Sequence, residues 1–188
     1  MAKSWLDWIT GKSEENWDRR SDEARDLPPI QAGDIDPTTG AVNWVRFAAI
    51  LEGEQAVHPG VLLVVDLDDR SAAIEAIAED HRADILPWLA QSIKQAVRAD
   101  DLVTHLHGYA FAVLLRGAPQ AIAAQLASRI RESVDDTLFM TASGIARLGV
   151  AVSGVSYPSE KAGEGGLIEE ALDGLAEAKN SDSQIVIS

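Results

Sequence analysis

The sequence predicts an α+β fold, one sheet covered by helices, with a short N-terminal helical extension. Three observations lead there. From Asp36 onward, stretches of helical spacing alternate with stretches of strand spacing. The run Val61-Leu62-Leu63-Val64-Val65, ending in Asp66, is apolar at every position, as in a central strand covered on both faces. The 188 residues, 46% hydrophobic and 24% charged, suffice for one domain with a core plus a short appendage.

Residues 1–32 are expected to form the extension and 33–188 the domain, with Pro28 and Pro29 at the boundary. Trp5, Leu6, Trp8 and Ile9 share one helical face opposite Lys3, Ser4, Asp7 and Thr10, and the helix stops at Gly11. Ser13 is placed to cap a second, polar helix with Glu14 and Glu15 in its first turn. Within the domain, helical spacing covers Asn43 to Gln55, the central strand follows, and helical spacing returns from Ser71 to Val97. Leu102–Leu106 and Ala110–Leu115 read as a hairpin turning at His107-Gly108. Pro119 opens a helix with Ile122, Leu126, Ile130 and Val134 on one stripe. Met140–Val155 is β-like and broken by glycines, Leu167–Ala178 is helical, and Gln184–Ile187 is a final strand. Lys161–Gly166 reads as a surface loop. The resulting order, α-β-α-β-β-α-β-α-β, is that of an α+β sandwich.

Composition excludes several chemistries. Thirty acidic residues against 16 basic ones leave a formal charge of −14, which repels a polyanionic duplex, so nucleic acid is not an expected partner. The absence of cysteine removes disulfides, thiol nucleophiles and thiolate metal sites. No apolar run is long enough to span a bilayer and no apolar signal core follows Met1, so a cytoplasmic location is expected.

Several landmarks in this order resemble the GGDEF (diguanylate cyclase) domain, which condenses two GTP molecules into cyclic di-GMP in bacteria. Asp36-Pro37-Thr38-Thr39-Gly40 is similar to the family's Asp-x-Leu-Thr-Gly opening, with Asn43 and Phe47 at the expected distance. Val64-Val65-Asp66-Leu67-Asp68 is similar to its strand ending in Asp-x-Asp, and Thr104–Leu115 sits where the family has its signature hairpin. Gly149-Val150-Ala151 and Ala178-Lys179 match later landmarks, so the resemblance covers Asp36 to Ser188.

The departures bear on activity. The resemblance implies that the signature pentad is His107-Gly108-Tyr109-Ala110-Phe111, in which only the second glycine and the phenylalanine survive. Phosphoryl-type transfer needs divalent metals held by carboxylates, and Tyr109 and Ala110 bring none. Asp66 remains as a lone carboxylate. Counting from Asp66, the family's guanine-reading Asn falls on Ile74 and its Asp on Ala83, one residue short of Asp84. Lys179 matches a phosphate-contacting lysine, while Ser183 stands where an arginine is expected. Asp66, His107–Phe111 and Lys179 thus read as a degenerate former active site, with no catalytic residue, metal or cofactor expected.

A second site in this family binds the product, and its mark is Arg-x-x-Asp five residues before the pentad. Arg98-Ala99-Asp100-Asp101, followed by Leu102–Leu106 and His107, meets that spacing, and Arg129 stands where a further arginine belongs. The residue types suit the ligand. An arginine fork can engage guanine O6 and N7, a carboxylate can take N1–H and N2–H, and a second arginine can face the phosphates or stack on a base. A surface ion pair at a helix end is the plainer reading of Arg98 and Asp101.

The remaining candidates weigh less. His105 and His107, two apart on a strand, would share a face as a metal pair could, with Asp66 near, but exposed histidines are the commoner case. His58 and His81 read as surface residues. Asp66, Asp68 and Asp69 more often cap the following helix than hold a metal. Ser153 and Ser156 have no triad partners in sequence. The Trp5-Leu6-Trp8-Ile9 face has three readings: docking on its own domain, which is the default, a groove on another protein, or a membrane interface, the weakest. The expected function is that of an inactive GGDEF domain that binds cyclic di-GMP at Arg98, Asp101 and Arg129. It would signal by contact with an unidentified protein partner, or by ligand-dependent homodimerisation. The alternative is a nucleotide-independent interaction module that kept only the fold; a third is residual GTP binding supported by Asp84 or Lys179.

Overall fold

Strand β1 (Gly60–Leu67) forms at the unbroken apolar run, and Val61 to Val65 are all fully buried. This computed structural model describes residues 28–68, 84–136, 138–141, 144–159 and 166–188. Trp5, Leu6, Trp8, Ile9, Asp69, Ile74, His81 and Ala83 lie outside the described residues.

The sheet has the order β2-β3-β1-β6-β7, with β1 at its centre. Strands β2 (Leu102–His107) and β3 (Ala110–Arg116) form the expected hairpin, and β1 pairs antiparallel with β3 and with β6 (Val150–Tyr157). Strand β7 (Ile185–Ile187) adds parallel to β6. The β-like stretch Met140–Val155 falls into three strands, with Gly149 in the break before the last. The first two, β4 (Leu138–Thr141) and β5 (Gly144–Arg147), make a separate ribbon, and only β6 joins the main sheet.

Strand alternation sends neighbouring side chains to opposite faces, so two core layers form. Val61, Leu63 and Val65 pack with α2 (Ile85–Ala96) and α3 (Gln120–Asp135). Leu62 and Val64 pack with α1 (Trp44–Val57) and α4 (Gly166–Asn180). On α3 the predicted stripe is buried at Leu126, Ile130 and Val134, with Ile122 packed at its edge. Pro119 serves as the N-cap rather than the first helical residue. Asn43 likewise caps α1, its side-chain oxygen accepting the Arg46 amide at 2.9 Å.

At the start of β1 the neighbours approach too closely for any side chain. A Cβ on Gly60 would lie 2.6 Å from the Leu115 carbonyl and would clash with the hydroxyl end of Tyr157. Opposite Gly60, Arg116 donates from Nη2 to Glu54 Oε1 on α1 at 2.5 Å, with side chains 3% and 9% exposed. Two opposite charges at that depth offset each other's cost of burial. Arg116→Met should therefore lower stability by roughly 3–5 kcal/mol, and adding Glu54→Leu should recover most of that loss; urea unfolding of the two variants measures both.

Candidate functional site

Strands β1 and β2 are each antiparallel to β3 and so run in the same direction. Asp66, at the end of β1, and the turn after β2 therefore lie at one end of the sheet. The Arg98–Asp101 turn precedes β2 and lies at the other end. A six-residue strand, about 20 Å, separates the two groups.

At the first end, the hairpin turn requires a left-handed residue, and Gly108 supplies it with φ +53°. Ala110 and Phe111 are buried, and Tyr109 packs against the core layer of α2 and α3. These side chains thus serve packing. The register slips between His105 and His107, a bulge that breaks the two-residue alternation. The expectation that the two histidines share a face therefore fails. The His105 ring lies against Phe111, centroids 5.2 Å apart, with Nε2 placed 3.0 Å from the Gly108 carbonyl as its donor, while His107 is exposed. Among the described residues no three metal-ligating side chains cluster.

Asp66 is paired. Its Oδ2 accepts from Lys179 Nζ at the end of α4 at 2.9 Å, and its Oδ1 accepts from the Leu67 amide at 2.9 Å. Asp68, largely buried, accepts from the Gln184 side chain. The helix that these carboxylates were expected to cap, beginning near Ser71, lies outside the described residues. Gln184, held at φ +55°, is also bound by Arg131, whose Nη2 reaches Gln184 Oε1 at 2.8 Å and whose Nη1 reaches the Ser183 carbonyl at 2.6 Å. Sequence reasoning singled out neither Arg131 nor Gln184. The one signal was Arg131 itself, two residues beyond Arg129 and spaced to fall on a different side of α3. Asp84 directly precedes α2 and is exposed, with no side-chain capping bond.

At the other end, the chain turns between α2 and β2. The Asp101 carboxylate, 7% exposed, accepts the Arg98 amide at 3.0 Å, and the Asp101 amide donates to the Arg98 carbonyl at 3.2 Å. Arg98 and Asp101 border a groove of about 270 Å³ together with Lys94, Ile30, Ile35 and Val42. Lys94 Nζ donates to the Gly40 carbonyl at 2.8 Å, which fastens the Asp36–Gly40 turn to α2. That turn is closed by Asp36, whose carboxyl is held below its ordinary range chiefly by the Thr39 amide, then by the Thr38 amide and the charge of His105. The stability this adds is present above the ordinary carboxylate range and lost as pH falls through the lowered value.

Arg129 is exposed on α3 and is not one of the groove walls. Helix α3 lies against α2, Ser133 Oγ donating to the Ser92 carbonyl at 3.3 Å. The two helices follow β3 and β1, which are antiparallel, and so run in opposite directions. Arg129, one turn before Ser133, is thereby displaced toward the end of α2 that leads into Arg98. No described helix is long and apolar enough to cross a membrane.

The Asp66–Lys179 pair is about one-fifth exposed at each side chain and so is worth about 1 kcal/mol. Asp66→Asn and Lys179→Met should each lower stability by about that amount, and the double variant by little more than either alone, as a double-mutant cycle of denaturant unfolding will show.

Comparison with solved structures finds the same fold. The diguanylate cyclase SiaD from Pseudomonas aeruginosa, solved in complex with its activator SiaC, matches with a TM-score of 0.73 and 20% identity over 84% of this chain. The chain spans only 62% of that SiaD chain. The GGDEF domain of FimX from Pseudomonas aeruginosa matches with a TM-score of 0.70 at 16% identity, covering 82% of this chain and 99% of that one. The coiled coil and GGDEF domain of DgcB from Caulobacter crescentus, in complex with c-di-GMP, matches with a TM-score of 0.69 at 18% identity, covering 83% and 86%. No curated protein matches the chain. The family model described as diguanylate cyclase, GGDEF domain, matches residues 33–184, and with the sheet, its two helix pairs and the hairpin all in place, the chain belongs to the GGDEF domain family.

Proposed function

We propose that this GGDEF domain does not condense GTP and instead acts as a cyclic di-GMP receptor through Arg98, Asp101 and Arg129, passing the signal on by protein contact. The donor set at the first end does not fit the divalent metals that the reaction needs. Tyr109 and Ala110 offer no carboxylate at the turn, Asp66 is paired with Lys179, and Asp68 is bonded to Gln184. The chemistry of two-metal phosphoryl transfer has no place to assemble there.

What carries the receptor reading is the turn at the other end. Asp101 uses its carboxylate to fix the Arg98 backbone, so Arg98 is held at a defined place on a groove that also carries Lys94. In a chain of net charge −14, two cations bordering one groove, with Arg129 on the adjoining helix, supply the local attraction that a cyclic dinucleotide's two phosphates require. Arg98 and Arg129 are assigned to the guanine edge and the phosphates, and Asp101 to holding the turn. The DgcB structure is solved with c-di-GMP and the SiaD structure with a protein activator, which supports a dinucleotide ligand and regulation through protein contact. Ligand-dependent pairing of two copies and engagement of a partner by the tryptophan-bearing extension are the outputs assigned to this domain.

Isothermal titration of cyclic di-GMP should give saturable binding near two ligands per site. Arg98→Ala should weaken it by about 30-fold, the loss of one charge-assisted contact of about 2 kcal/mol. GTP with magnesium should yield no cyclic product. An absence of heat and of thermal shift at high ligand concentration overturns the receptor reading and leaves the nucleotide-independent interaction module.

A further inference from the structure

Helix α1 carries large apolar side chains on its solvent side as well as on its buried side. Phe47, Ile50 and Leu51 are buried against the sheet, yet Trp44, Val45 and Val57 on the other sides are 43%, 78% and 70% exposed. A surface helix ordinarily turns mainly polar side chains outward, and beside the exposed Glu52 and Gln55 this one turns out large apolar ones. Val45, Ala49 and Gly53, each four residues apart and all exposed, form one line along the outer face. Two recesses flank it, of about 340 and 180 Å³, and Arg46 and Ala49 line both. A side chain at Gly53 would meet nothing within 4 Å, so the face has room for a large group.

The polypeptide enters the described structure on this same face. Pro28 lines the smaller recess, and Arg46 Nη2 holds the Pro29 carbonyl at 3.1 Å. The segment before Pro28 carries the apolar face of Trp5, Leu6, Trp8 and Ile9. From Thr10 to Leu27 the chain reaches about 27 Å even if wholly helical, more than the roughly 21 Å length of α1. We infer that the Trp5-Leu6-Trp8-Ile9 face docks within its own chain on the outer face of α1, over Val45, Ala49 and Gly53. Four large apolar side chains cover an apolar line of small residues, and each surface removes the other from water. The tryptophans then reach a partner only after leaving α1, whether or not cyclic di-GMP binds.

The chain contains no cysteine, so Asp7→Cys and Glu52→Cys place two spin labels on the intact protein without further change. Helical spacing places Asp7 opposite the apolar residues, and Glu52 is exposed on α1. Pulsed dipolar spectroscopy, with labelled protein diluted in excess unlabelled chain, should give one narrow, short distance. Adding Ala49→Asp, or separately Val45→Asp, should abolish that narrow peak while circular dichroism and the cooperative unfolding transition persist. A broad distribution in the parent overturns the inference, as does a narrow peak that survives both aspartates. A narrow peak that vanishes on dilution also overturns it and assigns the face to a second copy of the chain.

Discussion

Burial of β1 on both faces is the constraint from which the rest of the structure follows. A strand with no polar side chain between Val61 and Val65 has to be covered above and below, so two helix pairs are needed, and each core layer takes alternate residues of that strand. The backbone groups of β1 are met by β3 on one side and β6 on the other, leaving the edges to β2 and β7. The same burial dictates what stands at its two ends. Gly60 permits the close approach of Tyr157 and Leu115, and Asp66 marks where the strand reaches solvent and charge becomes tolerable.

Charges near this core are organised by the cost of leaving them alone. Glu54 and Arg116 meet between α1 and β3, where either by itself would be expensive to bury. At the far end of β1, Lys179 and Gln184 bind the two carboxylates, and Arg131 in turn holds Gln184 and the Ser183 carbonyl. The C-terminal segment leading into β7 is thereby tied to β1 and α3 by polar contacts. In a chain with an excess of 14 negative charges, Lys179 neutralises Asp66 and the Gln184 amide hydrogen-bonds Asp68.

Much of this was legible in the sequence because it follows from periodicity. The apolar run, the hairpin around His107-Gly108 and the Leu126-Ile130-Val134 stripe all fall where local spacing places them. The turn at Arg98–Asp101 was visible as a motif, and its internal hydrogen bond is the ordinary work of an aspartate three residues after the amide it accepts. What escaped was non-local. The bulge that separates His105 from His107 is a mismatch between two strands, and neither strand's own pattern records it. The partners of Asp66 and Asp68 escaped for a related reason, since Lys179 and Gln184 are more than a hundred residues away.

By itself, then, the sequence determined the fold class, the central strand, the hairpin and the spacing of the Arg98–Asp101 turn, because burial periodicity and turn chemistry act over a few residues at a time. Tertiary structure alone decided that Asp66 pairs with Lys179, that Arg131 binds Gln184, and that Arg129 lies on the helix packed against α2. It also decided that Trp44, Val45 and Val57 face outward on α1. Each of those outcomes depends on which surfaces meet once distant segments pack, and a linear pattern carries the identities of the groups but not their partners.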